Sequence, residues 1–175
     1  MVSFGRFSSQ GELRGRGRCL PFAGEAFLGL VFVALWLKLG PSGAFFRAAV
    51  ALTLLLAAAF SDLEKREIPD ILSVALLFSG FLLWGISGRW AVPVFGALAC
   101  GGLPLVLALL FPGKIGGGDA KLALGAGAVL GPIAGALALG AASVGGLVWA
   151  LCFGRKQVPF APFLFGGAVF ALLSS

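Results

Sequence analysis

The chain alternates long apolar runs with short clusters of Gly, Pro and charged residues. The apolar runs predict seven helices, at about residues 22–39, 44–61, 71–86, 91–111, 119–130, 132–153 and 160–173. A helix needs about 20 apolar residues to cross a bilayer, so the runs at 119–130 and 160–173 are short for a full crossing. The breaks are local and readable. Gly-Pro-Ser-Gly occupies 40–43, the charged stretch DLEKREIPD 62–70, SGRW 87–90, PGKIGGGD 112–119, Gly131-Pro132 the next turn, and GRKQVP 154–159. Pro93 lies near the start of its run, and Pro104, inside it, predicts a kink because it lacks an N–H and crowds the preceding turn. The pattern predicts an all-α fold, a polytopic transmembrane helical bundle of six to seven membrane helices. It shows neither an internal repeat nor an extramembrane domain.

Composition narrows the class. The 175 residues are 59% hydrophobic and 11% charged, against about 25% charged in soluble domains. Too few polar side chains are present to cover a water-facing surface, and the mean hydropathy of +1.05 excludes disorder. There is no His, which excludes Ser-His triads and His metal sites. Cys19, Cys100 and Cys152 fall in different segments without CxxC spacing, so they match neither a zinc site nor a disulfide framework. No metal site and no organic cofactor is expected.

The net charge of +6 comes from thirteen Lys and Arg against seven acids. In a membrane chain, positive-inside topology explains such an excess, and no nucleic-acid partner is expected. With seven crossings and the N-terminus inside, Lys38, Arg47 and Arg89 fall outside and the other ten cations inside. Residues 1–21, with Arg6, Arg14, Arg16 and Arg18, read as a retained cytoplasmic tail, since no A-x-A-like cleavage site ends the apolar run that follows.

Four of the seven acids, Asp62, Glu64, Glu67 and Asp70, lie within 62–70, and only Asp119 lies beyond. A carboxylate beside an apolar helix is costly and therefore a functional candidate. For Asp119, helix capping competes with that reading. Gly116, Gly117 and Gly118 before it weigh against simple capping, because a glycine run permits positive φ and close backbone approach. Asp62 ends its helix at the pole where an acid is unfavourable, although a plain interfacial loop residue is the competing reading. Asp70 follows Ile68-Pro69 and reads as an N-cap, while Glu64, Lys65, Arg66 and Glu67 read as a solvated charge run. Asp62 and Asp119 would face each other from two helix ends on the cytoplasmic side. Two close carboxylates share one proton. The ionised member activates a water; the protonated member polarises a carbonyl and later protonates the leaving amine.

GGGDAKL at 116–122, preceded by DLEKREIPD at 62–70, resembles the type IV prepilin peptidases, intramembrane aspartic proteases of the G-x-G-D type. LPFAGEAFLGL at 20–30 is similar to that family's opening span, with Glu25 at its Glu, and VPFAPFLFGGA at 158–168 to its Pro-Phe-x-Pro-Phe segment. The resemblance implies a basic tail over residues 1–21 and a transmembrane peptidase domain over 22–175. It implies an enzyme of the bacterial inner membrane that cleaves the basic leader of prepilins and pseudopilins at the cytoplasmic face. Asp62 and Asp119 match the catalytic pair. Gly116, Gly117, Gly118 and Lys121 are supporting candidates. Lys121 either tunes Asp119 or snorkels at the membrane surface. Bifunctional members add an N-terminal four-Cys zinc region linked to methylation, where this chain has only Cys19, so peptidase activity without methyltransferase activity is expected. A small transporter or proton-coupled channel is the alternative, but both Asp fall at span ends rather than near the midplane. A non-catalytic pilus or secretion assembly subunit is another. A Ser61–Lys65 protease is a weaker reading, since Lys65 sits in a charged stretch.

Overall fold

The computed structural model describes residues 26–65, 68–110, 116–153 and 159–174. The basic tail, Cys19, Glu25, Arg66, Glu67, Lys114, Arg155 and Lys156 lie outside the described residues. Every regular element among those described is helical. The helices are α1 (Ala26–Leu39), α2 (Gly43–Lys65), α3 (Asp70–Ile86), α4 (Ala91–Leu110), α5 (Gly117–Leu130), α6 (Pro132–Phe153) and α7 (Phe160–Ser174). By length and composition α2, α4 and α6 are long and apolar enough to cross a membrane, while α1, α3 and α7 are shorter apolar helices.

One boundary differs from the sequence reading in a way that bears on the site. The charged stretch was expected to leave the helix at Asp62, but α2 continues through Lys65, placing Asp62 in its last turns. Leu, Glu and Lys are good helix formers, so Leu63-Glu64-Lys65 sustains the helix once it is running. Within α4 the expected kink takes the form of a π-helical turn, Leu98–Gly102, just before Pro104. A wider turn there relieves the crowding that a proline imposes on the preceding carbonyl. At the end of α5, Gly131 takes φ +86°, which closes the helix before Pro132 starts the next.

Large side chains face outward and small ones inward. Leu37, Ile71, Ile86, Ile133 and Leu151 are among the most exposed residues, whereas alanines make up much of the buried core. A bilayer rewards this inverted distribution, because lipid is as apolar as Leu and helices associate through close backbone approach. The centre is α5, which packs against α2, α3, α4, α6 and α7, and most of its residues after Asp119 are buried. A methyl on Gly80 of α3 would lie 2.6 Å from the Ala128 carbonyl carbon of α5, and Gly96 of α4 lies against the Gly127 carbonyl oxygen. On the core side, Asp62 and Ser73 are the buried polar or charged residues among those described.

Up-and-down connectivity sorts the charges. Asp62, Asp70, Asp119 and Lys121 gather at one end of the bundle, where α2 ends and α3, α5 and α7 begin. At the other end the Lys38 ammonium donates to the Leu173 carbonyl of α7 at 2.7 Å. There the Arg47 guanidinium stacks 4.0 Å from the Trp84 ring, and the Trp84 indole N–H donates to the Val129 carbonyl at 3.0 Å.

The packing makes a contrast that thermal unfolding in detergent can read. Gly80→Ala is expected to destabilise by roughly 1–3 kcal/mol, the usual cost of overpacking. Gly140→Ala, on the exposed face of α6 with nothing within 4 Å of the added methyl, is expected to be neutral or to stabilise by about 0.5–1 kcal/mol.

Candidate active site

Asp62 is only 7% exposed. It also stands near the C-terminal pole of α2, where the helix dipole is unfavourable to a negative charge. The offsetting contact comes from far along the chain. The backbone N–H of Ala161, in the first turn of α7, donates to Asp62 Oδ2 at 3.0 Å, and the bond is buried. A helix begins with N–H groups that have no partner within it. Pro159 and Pro162 carry no N–H, so the opening of α7 has few such donors and one of them is committed to Asp62. That contact escaped the sequence reading; its one local signal was the Pro-Phe-x-Pro-Phe pattern.

Asp119 reaches the same end from α5. Its own N–H closes onto the Gly116 carbonyl at 3.1 Å, and the N-cap position of α5 is taken by Gly116, not by Asp119. The carboxyl folds back over Gly116, where a Cβ would lie 2.9 Å from Oδ2. This contact corrects the role expected of the glycine run. None of Gly116, Gly117 and Gly118 takes positive φ. The methyl missing from Gly116 leaves room for the carboxyl, Gly117 faces open space, and a methyl on Gly118 would lie 3.5 Å from the Ile68 side chain. Ile68 thereby joins the stretch after Asp62 to the Gly-rich segment.

The level of Asp119 is set by its exposed neighbours. Two residues on, the Lys121 ammonium meets both carboxylate oxygens of Asp70 at 2.9 Å, with the two side chains 53% and 68% exposed. Glu64 and Lys65 are also exposed on the last turn of α2. These charges mark the aqueous rim, and Asp119 lies at it, ahead of the apolar part of α5. Asp70 is the first residue of α3 after Pro69 and makes no side-chain capping bond. Its partner is Lys121, so the N-cap expected from sequence is replaced by an inter-helix ion pair. Lys121 therefore directs its charge to Asp70 rather than to Asp119. Such an exposed pair contributes only ~0–1 kcal/mol.

Burial pushes the Asp119 carboxyl up to about 6, and the Asp62 carboxylate adds to the effect. Asp62 thus acts on Asp119 at one helix-end cluster, the first deeply buried and the second half-buried. Chemically, such a pair holds one transferable proton and one vacant basic oxygen. Among the described residues no group of three or more His, Cys, Asp or Glu is placed to hold a metal ion.

A sequence model of the type IV leader peptidase family matches residues 48–151. That span contains Asp62, Asp70, the three glycines, Asp119 and Lys121, and ends before α7. A prepilin leader peptidase/N-methyltransferase from Bacillus subtilis (strain 168) is 28% identical over 182 residues, covering 94% of this chain and 71% of the relative. No solved structure gives a significant match.

The shifted Asp119 carboxyl has a consequence for stability. Its folded-state value lies above the unfolded one, so the folded state holds the proton more tightly. The favourable contribution is complete below pH ~4 and is lost as pH rises through about 6. Asp119→Asn, which never ionises, should therefore gain thermal stability relative to the unsubstituted chain on going from pH 4 to pH 7.5. A difference in melting temperature that stays constant across that range would contradict the coupling.

Proposed function

The chain belongs to the type IV leader peptidase family, and on that premise we propose that it is an intramembrane aspartic endopeptidase. Its substrates on this reading are type IV prepilins or pseudopilins, each a membrane helix behind a basic leader, cut at the cytoplasmic face of the bacterial inner membrane. The observation that carries the proposal is the pairing of a buried Asp62 with an Asp119 whose carboxyl is raised by burial and by Asp62.

Asp119 is the member that keeps its proton into the mildly acidic range, which makes it the acid and Asp62 the base. The Asp62 carboxylate removes a proton from a water as the water oxygen attacks the scissile carbonyl carbon. Asp119 donates a hydrogen bond to the carbonyl oxygen as negative charge develops there. When the tetrahedral intermediate collapses, Asp119 delivers its proton to the departing nitrogen and the C–N bond breaks. Asp62 then holds the proton taken from water, and transfer between the carboxyls restores the starting state.

Position at the rim supports this chemistry in two respects. Water reaches exposed Lys121, Asp70, Glu64 and Lys65, whereas the bilayer core offers none. A substrate helix also conceals its carbonyls, and its unwinding is easiest where the backbone can exchange partners with water. Placement at helix ends favours hydrolysis over transport, for which carboxylates near the midplane are the expected feature. The exposed Glu64 is of the right sign to meet a basic leader. The proposal is confined to the peptidase step.

Co-expression with a prepilin and mass analysis of the product tests the assignment. Leader removal is expected with the unsubstituted chain and is expected to vanish in Asp62→Asn and Asp119→Asn, with membrane insertion retained; turnover by purified Asp119→Asn would refute the mechanism. Gly116→Ala should leave the fold intact but push the Asp119 carboxyl from its place. A displacement of this kind costs up to ~100-fold in rate, and unchanged kcat would count against the geometry. For the unsubstituted chain, kcat/KM should decline on the alkaline side with a midpoint near 6, as Asp119 loses its proton.

A further inference from the structure

We infer that the N-terminus of α7 positions the catalytic base: the Ala161 N–H holds the Asp62 carboxylate in its reacting orientation. The inference rests on the peptidase reading and assigns to Ala161, within the Pro-Phe-Ala-Pro-Phe segment, a role in the reaction. Ala161 touches neither substrate nor the reacting water on this account. It is a positioning residue, and it acts through its backbone.

Three independent features converge on it. The first is need: Asp62 is buried near the unfavourable end of α2, so neither solvent nor its own helix stabilises the charge. The second is geometry. Ala161 N lies 3.0 Å from Oδ2 in a buried bond, and the positive pole of a 15-residue helix stands behind the donor. The bond engages one of the two oxygens, Oδ2. The third is the sequence of the donor turn. Pro159 and Pro162 flank Phe160-Ala161; with no N–H of their own, they leave the carboxylate few alternative donors and hence one preferred orientation. The turn is itself fixed. Phe163 packs edge-on to Trp149 of α6 at 6.1 Å between ring centroids, and Ala161 and Leu164 are buried.

A side-chain substitution leaves a backbone donor in place, so the test replaces the amide. Incorporating lactic acid at position 161 (Ala161→lactate) keeps the methyl group and exchanges N–H for an ester oxygen. Phenyllactic acid at position 160 (Phe160→phenyllactate) makes the same change one residue earlier, where no bond to Asp62 exists among the described residues. Full-length protein is assayed on a prepilin in proteoliposomes. The Ala161 ester is expected to lower kcat roughly tenfold or more, the scale of a hydrogen bond to a charged group, with KM unchanged. The Phe160 ester should match the unsubstituted chain in both. A merely structural role would lower the melting temperature while leaving the kcat of the folded enzyme unchanged. An active unsubstituted chain whose Ala161 ester keeps its kcat, or whose Phe160 ester has the same effect, overturns this proposal alone. An unsubstituted chain that leaves the leader uncut in well-inserted form removes the peptidase reading, and this inference with it.

Discussion

The bond between Asp62 and the opening turn of α7 is the contact on which the site depends. A carboxylate that is 7% exposed in a bundle of Ala, Leu and Phe would cost several kcal/mol if left without a partner. Its own helix worsens matters, since the carbonyls at the end of α2 point their negative pole toward it. The Ala161 N–H reverses that local field with a donor and a positive helix end together. It also links residues 99 apart in sequence. The last helix is therefore part of the site, although the matched family span ends at residue 151.

The bundle brings this about through small residues. α5 is short and surrounded, and its Ala and Gly positions let α3 and α4 approach to backbone contact. Close approach of α3 to α5 carries the start of α3 alongside the start of α5. Asp70 then reaches Lys121, and Ile68 reaches Gly118. The ion pair is a result of this packing more than its cause, because exposed pairs are weak and the buried helix faces are extensive. Asp119 arrives beside Asp62 by the same route.

Much of the fold was legible because the breakers are local. Gly131-Pro132 separates α5 from α6 where the sequence placed the break, and the charge clusters fall at helix ends. Asp119 stood out as a lone acid after three glycines, and Asp62 as an acid at the wrong pole of its helix. The remainder was hidden for identifiable reasons. Polarity alone made residues 62–65 look like a loop, although Leu, Glu and Lys carry a helix well. Positive φ was one expected use of the glycine run, but Gly116 has negative φ and instead leaves space beneath the Asp119 carboxyl. Lys121 stands two residues from Asp119 in the chain, yet on a helix such residues point apart, which directs it to Asp70. Ala161 is an ordinary alanine whose contribution is a main-chain N–H, and no side-chain pattern announces one.

The two carboxyls differ because their helices run in opposite directions. Asp62 closes a helix, is deeply buried, and receives a strong donor. Asp119 opens one and is half-buried at the rim. Placing the pair in unlike surroundings separates acid from base more reliably than two equivalent acids would. A chain with no His has few other side chains able to supply both roles at mild pH. Two aspartates can do so on the proposed mechanism, one meeting a helix end and the other raised by burial and by the first. The direction of α2, α5 and α7 at one end of the bundle gives the two carboxyls these unlike surroundings, and on that mechanism the surroundings decide which of them is the acid.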